Sequence, residues 1–317
     1  MSDPREIVLS TGARLRVEAC ASGIFRVQLS PEGHFPEAPL VHYGLVRGDW
    51  PAGAGTVETQ ADRITVRTAE ASLEIRIEDG ALTLRGPGCV ALTSTAEPLQ
   101  SDPAKGFAAE FALAPGERLY GLGDVTRERI QKRGFRTRMW VQNVKSYVPI
   151  PVLASSRGWG LFLNTTWRHY FDVGHSKPDR LRFWARRGTL DLFLVAGAGL
   201  PQLLDRLTEI SGKPVLLPLW AYGLTFVSNQ QANAREMVDD CVQLRRAGIP
   251  CDVIGLEPGW MSKHYDYSVE KDWHPERFYI PPWVRNPNDV SAGNDATFMG
   301  AVRRRGFKVS LWLCCDY

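Results

Sequence analysis

Cys251-Asp252-Val253-Ile254-Gly255-Leu256 is a short apolar run closed by Glu257 and Pro258, and its flanks decide the fold. Upstream, Ala234, Met237, Val238, Cys241 and Val242 recur at i, i+3, i+4, i+7 and i+8, the single apolar stripe of an amphipathic helix. Asn233 with Glu236 three residues on has the form of a capping box with Asn in place of Ser or Thr. Gly248 and Pro250 stop the helix. Before it, Leu219-Trp220-Ala221-Tyr222-Gly223-Leu224-Thr225-Phe226 reads as a buried-type strand. After the apolar run comes a long loop over 257–294, rich in aromatics: Trp260, Tyr265, Tyr267, Trp273, Phe278, Tyr279 and Trp283. A shorter helix over 296–305, ended by Gly306, and a third strand over 307–313 complete the series. Strand, helix, strand, helix, strand is the rhythm of a parallel α/β architecture. Three parallel strands do not close a barrel, and the last would leave an unpaired edge, so the pattern reads as physically unfinished.

Upstream the period is different. To about residue 195 side chains alternate with the period of two that marks half-buried strands. Arg14-Leu15-Arg16-Val17-Glu18 and Leu73-Glu74-Ile75-Arg76-Ile77-Glu78 alternate cleanly. Asp79-Gly80 then predicts a hairpin to Leu82-Thr83-Leu84-Arg85. Further strands are expected over 25–29, 64–67, 159–164, 181–185 and 190–195, each with one apolar and one wet face, as antiparallel sheets of a sandwich require. Residues 201–210 predict a short helix with Pro201 in its first turn, and 213–218 an extended connector.

Bulk properties narrow the class. The chain has 317 residues, enough for two domains, and its 38 basic against 35 acidic residues give a net charge of +3, too balanced to favour nucleic acid or an anionic membrane. No apolar run is long enough to span a bilayer, and the polar start at Met1-Ser2-Asp3-Pro4-Arg5-Glu6 shows no secretory core, so a cytoplasmic location is expected. Cys20, Cys89, Cys241, Cys251, Cys314 and Cys315 show no metal-like spacing and read as free thiols. His169 and His175 read as isolated surface histidines, and His264 and His274, ten apart in a loop, do not suggest a metal site. Gly197-Ala198-Gly199 precedes a helix but lacks the third glycine of a dinucleotide-binding turn, since position 202 is Gln202.

Several segments match, in order, patterns of glycoside hydrolase family 31. Arg118-Leu119-Tyr120-Gly121-Leu122-Gly123-Asp124 is similar to that family's FYGLGE. Residues 149–160, PIPVLASSRGWG, resemble its IPFLLSSRGYG, and Phe171-Asp172-Val173-Gly174 repeats another short motif. Gly212-Lys213-Pro214 leading to Pro218-Leu219-Trp220-Ala221-Tyr222-Gly223 resembles the junction between the family's sandwich and barrel. Residues 248–254, Trp273-His274-Pro275-Glu276-Arg277-Phe278 and Arg305-Gly306-Phe307-Lys308-Val309 continue in the family's order.

This resemblance implies a galactose mutarotase-like antiparallel β-sandwich over 1–211 and an incomplete (β/α)8 TIM barrel over 212–317. It also implies a retaining α-glycosidase acting on non-reducing terminal α-linked sugars, without a cofactor. That chemistry needs two carboxyl groups about 5 Å apart, a nucleophile and an acid/base. The resemblance places both beyond Tyr317, so no residue here is assigned to catalysis and the chain alone is expected to be inactive. What it leaves inside the chain is sugar recognition. Gly255-Leu256-Glu257-Pro258-Gly259-Trp260-Met261 stands where the family has WLDIDWM, whose first Asp holds sugar hydroxyls. Glu257 replaces that Asp and Gly259 the second, so the resemblance implies a shifted hydroxyl contact and a sugar other than glucose, galactose-type first. Trp260 is a stacking platform or a packing residue, and Asp316, at the end of the third strand, is a second candidate contact. Without the family, Glu257 and Asp316 could be read as a catalytic pair on adjacent strands. Gln142, Asn143 and Lys145 lie where the family sends a sandwich loop towards the active site. The alternative function is a non-catalytic carbohydrate-binding chain built on the sandwich. Oligomeric state is not set by the sequence, and a homo-oligomer is left open.

Overall fold

Alternation becomes sheet wherever apolar side chains on successive strands can share one face. In the computed structural model, which describes residues 4–102, 104–125, 128–142, 146–229, 232–278 and 297–313, the chain divides into two compact units, Met1–Lys213 and Pro214–Tyr317.

Among the described residues, the first unit holds three antiparallel sheets. A seven-stranded sheet runs in the order Arg5–Val8, Arg14–Ala21, Ile24–Ser30, Leu190–Ala196, Trp159–Leu163, Val152–Ser155 and Leu119–Gly121. A five-stranded sheet runs Phe135–Met139, His169–Val173, Arg180–Ala185, Gly106–Ala112, Gln100–Asp102. The third, also five-stranded, is a meander from Thr56–Thr59 to Ala91–Ser94. All three turn apolar faces to one core, with Leu15, Val17, Leu192 and Leu194 from the first sheet, Phe107, Phe111, Phe171 and Phe183 from the second, and Leu73, Ile75, Leu82 and Leu84 from the third. Phe111 anchors it, stacked on Trp159 at 6.2 Å and on Phe183 at 6.0 Å between ring centroids. The Trp159 indole N–H donates to the buried Glu117 carboxylate at 2.7 Å, and Ser155 Oγ and the Ala114 amide donate to it as well. A buried carboxylate is tolerated when donors meet its lone pairs in this way.

The expected hairpin forms, but its loop is longer than Asp79-Gly80 alone. The strands Ser72–Arg76 and Leu82–Arg85 pair through Ile75 opposite Leu82, and residues 77–81 turn between them. Gly80 takes φ +72°, and the Asp79 carboxylate accepts from the Ala81 amide at 3.1 Å and from the Arg76 guanidinium.

Three expectations need correction. Trp159–Leu163 and Leu190–Ala196 have no wet face, because every residue in both is buried. The helix Leu200–Ser211 covers their outer side, packing Leu203, Leu207 and Ile210 with Phe162, Phe193 and Val195, and Trp50 joins the cluster. On that same outer side Asp191 is buried, held by Arg26 at 2.6 and 3.0 Å, by Gln28 at 3.3 Å and by Asn164 at 2.8 Å. Next, His169 is no surface residue. It is 5% exposed, its Nδ1–H donates to the Trp167 carbonyl at 2.8 Å, and burial holds its pKa below the ordinary histidine value. His175 is exposed, as expected.

The third correction falls in the second unit. Residues 219–226 are not one buried strand. Leu219–Tyr222 is a 3-10 turn, the strand is Thr225–Ser228, and Phe226 and Val227 are 38% and 52% exposed. The run carries strand-type apolar residues, but the strand lies at the edge of its sheet, and apolar content alone does not locate where a turn yields to a strand.

The rest of the unit follows the expected order. Thr225–Ser228, Val253–Leu256 and Lys308–Leu311 form a three-stranded parallel sheet with Val253–Leu256 in the centre. The helix Ala234–Arg246 is capped by Asn233, whose side chain accepts from the Arg235 and Glu236 amides at 3.0 Å each. It buries Met237 and Cys241, and Gly248 leaves it at φ +67°. The helix Phe298–Arg304 starts at Thr297 and is followed by Gly306 at φ +77°. Together these elements pack Met237, Cys241, Ile254, Leu256, Trp260, Phe278, Phe298 and Phe307 into a second core.

Candidate functional site

In parallel sheets function gathers at the carboxyl ends of strands, where loops fan out from a rigid scaffold. Ser228, Leu256 and Leu311 close the three strands in register, which places Asn229, Glu257 and Trp312 next along that edge. Glu257 leaves its strand in an extended conformation, φ −72° and ψ 169°, and is half-buried. The chain then turns at once, because Pro258–Trp260 forms a single 3-10 turn and the Trp260 amide donates to the Glu257 carbonyl at 3.1 Å.

That turn is held from several sides. Trp260 is 5% exposed, and its indole N–H donates to the Trp312 carbonyl at 2.8 Å. Its ring lies 4.8 Å from the Trp273 ring, centroid to centroid. The Trp312 amide in turn donates to the Leu256 carbonyl at 2.9 Å, tying the third strand to the residue before Glu257. Arg277 donates to the Gly259 carbonyl at 3.2 Å, and the His274 amide to the Trp260 carbonyl at 2.8 Å. Aromatics of the 257–278 segment also pack on the following helix: Trp273 and Phe278 meet each other and Phe298 at 5.1 to 5.4 Å. Tyr265 stands edge-on to Trp312 at 5.2 Å. Trp260 is thus packed against Trp273 and tied to the Trp312 carbonyl. Asp316, Cys314 and Cys315 lie outside the described residues, as do Tyr279 and Trp283.

Ser228 was not singled out from the sequence. It ends the first strand, is buried, and its hydroxyl reaches the Asp240 carboxylate of the neighbouring helix at 3.4 Å. Burial raises the Asp240 pKa above the ordinary carboxylate value, with the Ser228 contact opposing it. The only sequence signal was a polar residue closing an otherwise apolar run.

In the first unit the Gly121-Leu122-Gly123-Asp124 motif acts as a clamp. The Asp124 carboxylate accepts from Ser146 Oγ at 3.2 Å and from the Tyr147 and Val148 amides at 2.8 and 2.9 Å. Gly123, at φ +64°, lies so close to the Val148 carbonyl that any Cβ would collide with it. The clamped loop carries Gln142, which exchanges backbone hydrogen bonds with Ser146 at 2.8 and 2.9 Å. Asn143 and Lys145 lie outside the described residues.

The fold and the site define a structural class, an antiparallel β-sandwich followed by parallel strands of α/β type with a carboxylate next after the central one. Comparison with known proteins gives the family. Residues 14–172 match the glycosyl hydrolase 31 N-terminal galactose mutarotase-like domain, and residues 214–290 the glycosyl hydrolases family 31 TIM-barrel domain. The chain belongs to glycoside hydrolase family 31. Among curated proteins it is 25% identical over 214 residues to an alpha-xylosidase of Emericella nidulans, covering 65% of this chain and 25% of that protein. It is 26% identical over 186 residues to an alpha-glucosidase of Saccharolobus solfataricus, covering 54% of this chain and 26% of that one. The chain therefore spans about a quarter of the length of these relatives. Among solved structures, a Flavobacterium johnsoniae GH31 dextranase superposes with a TM-score of 0.79 at 19% identity, covering 98% of this chain and 38% of the other. That likeness shows the fold: a β-sandwich followed by strands of a TIM barrel.

Proposed function

We propose that this chain is the sandwich and sugar-recognition part of a retaining α-glycoside hydrolase that removes non-reducing terminal α-linked sugars. The mechanism is a double displacement. An acid protonates the leaving oxygen, a carboxylate attacks the anomeric carbon, and water then releases the sugar with the first group acting as base. No residue of 1–317 is given either part, and a purified 1–317 product is expected to be inactive towards aryl α-glycosides. The observation that supports the reading is the place of Glu257, a half-buried carboxylate leaving the carboxyl end of the central parallel strand on a turn fixed by Trp260.

In this reading Glu257 accepts hydrogen bonds from hydroxyls of the sugar being cleaved, Asp316 is a second contact, and Trp260 serves the sugar through the turn it anchors. The extra methylene of Glu257 relative to Asp favours an axial 4-hydroxyl, hence a galactose-type sugar. The relatives named for xylose and glucose supply the rival substrates. The test uses the product of the complete reading frame with aryl α-galactoside, α-glucoside and α-xyloside. Glu257→Ala is expected to lower kcat/KM by about tenfold to a hundredfold, the worth of a charged hydrogen bond. Glu257→Asp is expected to shift preference towards the glucoside. Unchanged kcat/KM in Glu257→Ala would remove Glu257 from the site, and a wild type confined to α-glucosides would end the galactose assignment.

A further inference from the structure

We propose that Trp312 is a sugar-contacting specificity residue of the site at Glu257, its indole taking the apolar C–H side of the pyranose whose hydroxyls Glu257 holds; this rests on the reading of Glu257 above. The parallel strands run in register, so residues of one row share a face and successive rows alternate. Ser228, Leu256 and Leu311 make one row. That row faces the helices. Ser228 Oγ reaches the Asp240 carboxylate of the helix Ala234–Arg246, and Leu256 and Leu311 pack with Met237, Cys241 and Val302. The row before it, Val227, Gly255 and Ser310, takes the opposite face. There Val227 leans over Gly255, where an added Cβ would lie 3.2 Å from Val227 Cγ2. Glu257 continues extended, and the Trp312 amide donates to the Leu256 carbonyl at 2.9 Å, so strand geometry carries one residue further. Glu257 and Trp312 thus stand side by side on the face away from the helices. Two residues back on that face are Gly255 and Ser310, so the pair rises above a floor of small residues.

The Trp312 indole is held in place without being buried. The Tyr265 ring lies against it at 5.2 Å with 81° between the planes. Tyr265 takes φ +52°, a conformation that a non-glycine residue seldom adopts. The next residue fixes the loop there, because the buried Asp266 carboxylate accepts from the Ser268 amide at 2.9 Å. Backbone strain of this kind persists where the surroundings impose it, and it gathers at ligand sites. With Tyr265 in contact, Trp312 is still 37% exposed, whereas Trp260 is 5% exposed. Trp260 therefore packs, and Trp312 is the indole that a ligand can reach. The electron-rich face of an indole attracts polarised C–H groups, as it attracts cations. A pyranose carries a hydroxyl edge and a C–H face that adjoin, so a carboxylate beside an indole engages both at once.

The experiment is steady-state kinetics on the product of the complete reading frame, with whichever of the aryl α-galactoside, α-glucoside and α-xyloside it cleaves fastest. The free monosaccharide serves as competitive inhibitor. Trp312→Ala keeps the main-chain amide and carbonyl that bind Leu256 and Trp260, so the strand end is expected to stay folded. It is expected to lower kcat/KM by about tenfold, mostly through KM, and to raise the inhibition constant of the monosaccharide by a similar factor. Trp312→Phe is expected to recover most of both. Tyr265→Gly, which suits the backbone and removes the ring that positions the indole, is expected to cost about threefold. Unchanged kcat/KM and inhibition constant in Trp312→Ala, with the loss in Glu257→Ala intact, would overturn this proposal and leave Glu257 in place. A fall in kcat that Trp312→Phe does not recover, with the inhibition constant unmoved, would make the ring structural and overturn it as well. No cleavage of any of the three substrates would overturn both readings.

Discussion

The two units treat apolar surface differently. In the sandwich the strand Leu190–Ala196 is buried on both faces, one by the opposing sheets and one by the helix Leu200–Ser211. In the second unit the edge strand leaves Phe226 and Val227 exposed, and the approach to it exposes Val215, Leu216 and Leu219 by more than 80% each. Parallel strands in α/β proteins are normally covered on both faces. The sandwich thus completes its core from its own residues, while the parallel strands keep part of their apolar surface in solvent within this chain. Amides of the sandwich core are accordingly expected to exchange slowly and those of Thr225–Ser228 quickly.

The largest expected effect tests the sandwich core. Trp159→Ala removes a fully buried ring and leaves Glu117 short of a donor, so it should cost about 3–5 kcal/mol. Denaturant unfolding followed by hydrogen exchange should show the loss across the first unit, with the second unit unmoved. Asp191→Ala strands the mostly buried Arg26 guanidinium and should cost about 3 kcal/mol in the same unit. If either change loosened only a few strands, the single shared core would be the wrong description.

Smaller effects sharpen the contrast. Asn233→Ala removes a cap that satisfies two amides and should cost about 1 kcal/mol, seen only in the exchange of Ala234–Arg246 and its neighbours. The last is a pH effect. Burial depresses the His169 pKa in the folded state, so the unfolded chain takes up a proton there first as pH falls. Stability of the first unit should therefore be fully present above the unfolded value, near pH 6.5, and decline as pH falls below it, until the folded histidine also protonates. His169→Phe should flatten that part of the profile, and an unchanged slope would place the titration elsewhere.

The sequence carried the period of each element but not its covering. Period two at 14–18 and 73–76, and the stripe at Met237 and Cys241, are local signals, and the elements stand there, although the alternation continued through Ile77 and Glu78, which the structure gives to the turn. What failed depended on distant partners. The double burial of Phe193 and Val195 comes from a helix that follows them in the chain, and His169 lies in an inner strand of its sheet, between Met139 and Ala185, on the same buried face as Phe171 and Val173. The place of Glu257, next after the central parallel strand, was legible in the sequence. The use of the Trp260 indole N–H by Trp312, 52 residues away, had no local trace.

The most direct measurement of the central claim is the anomeric outcome of hydrolysis, read by proton NMR on the product of the complete reading frame with an α-xyloside, α-glucoside and α-galactoside. The account predicts cleavage of an α-linked terminal sugar with the first released product in the α configuration. Release of the β anomer, or no cleavage of any of the three, would contradict it.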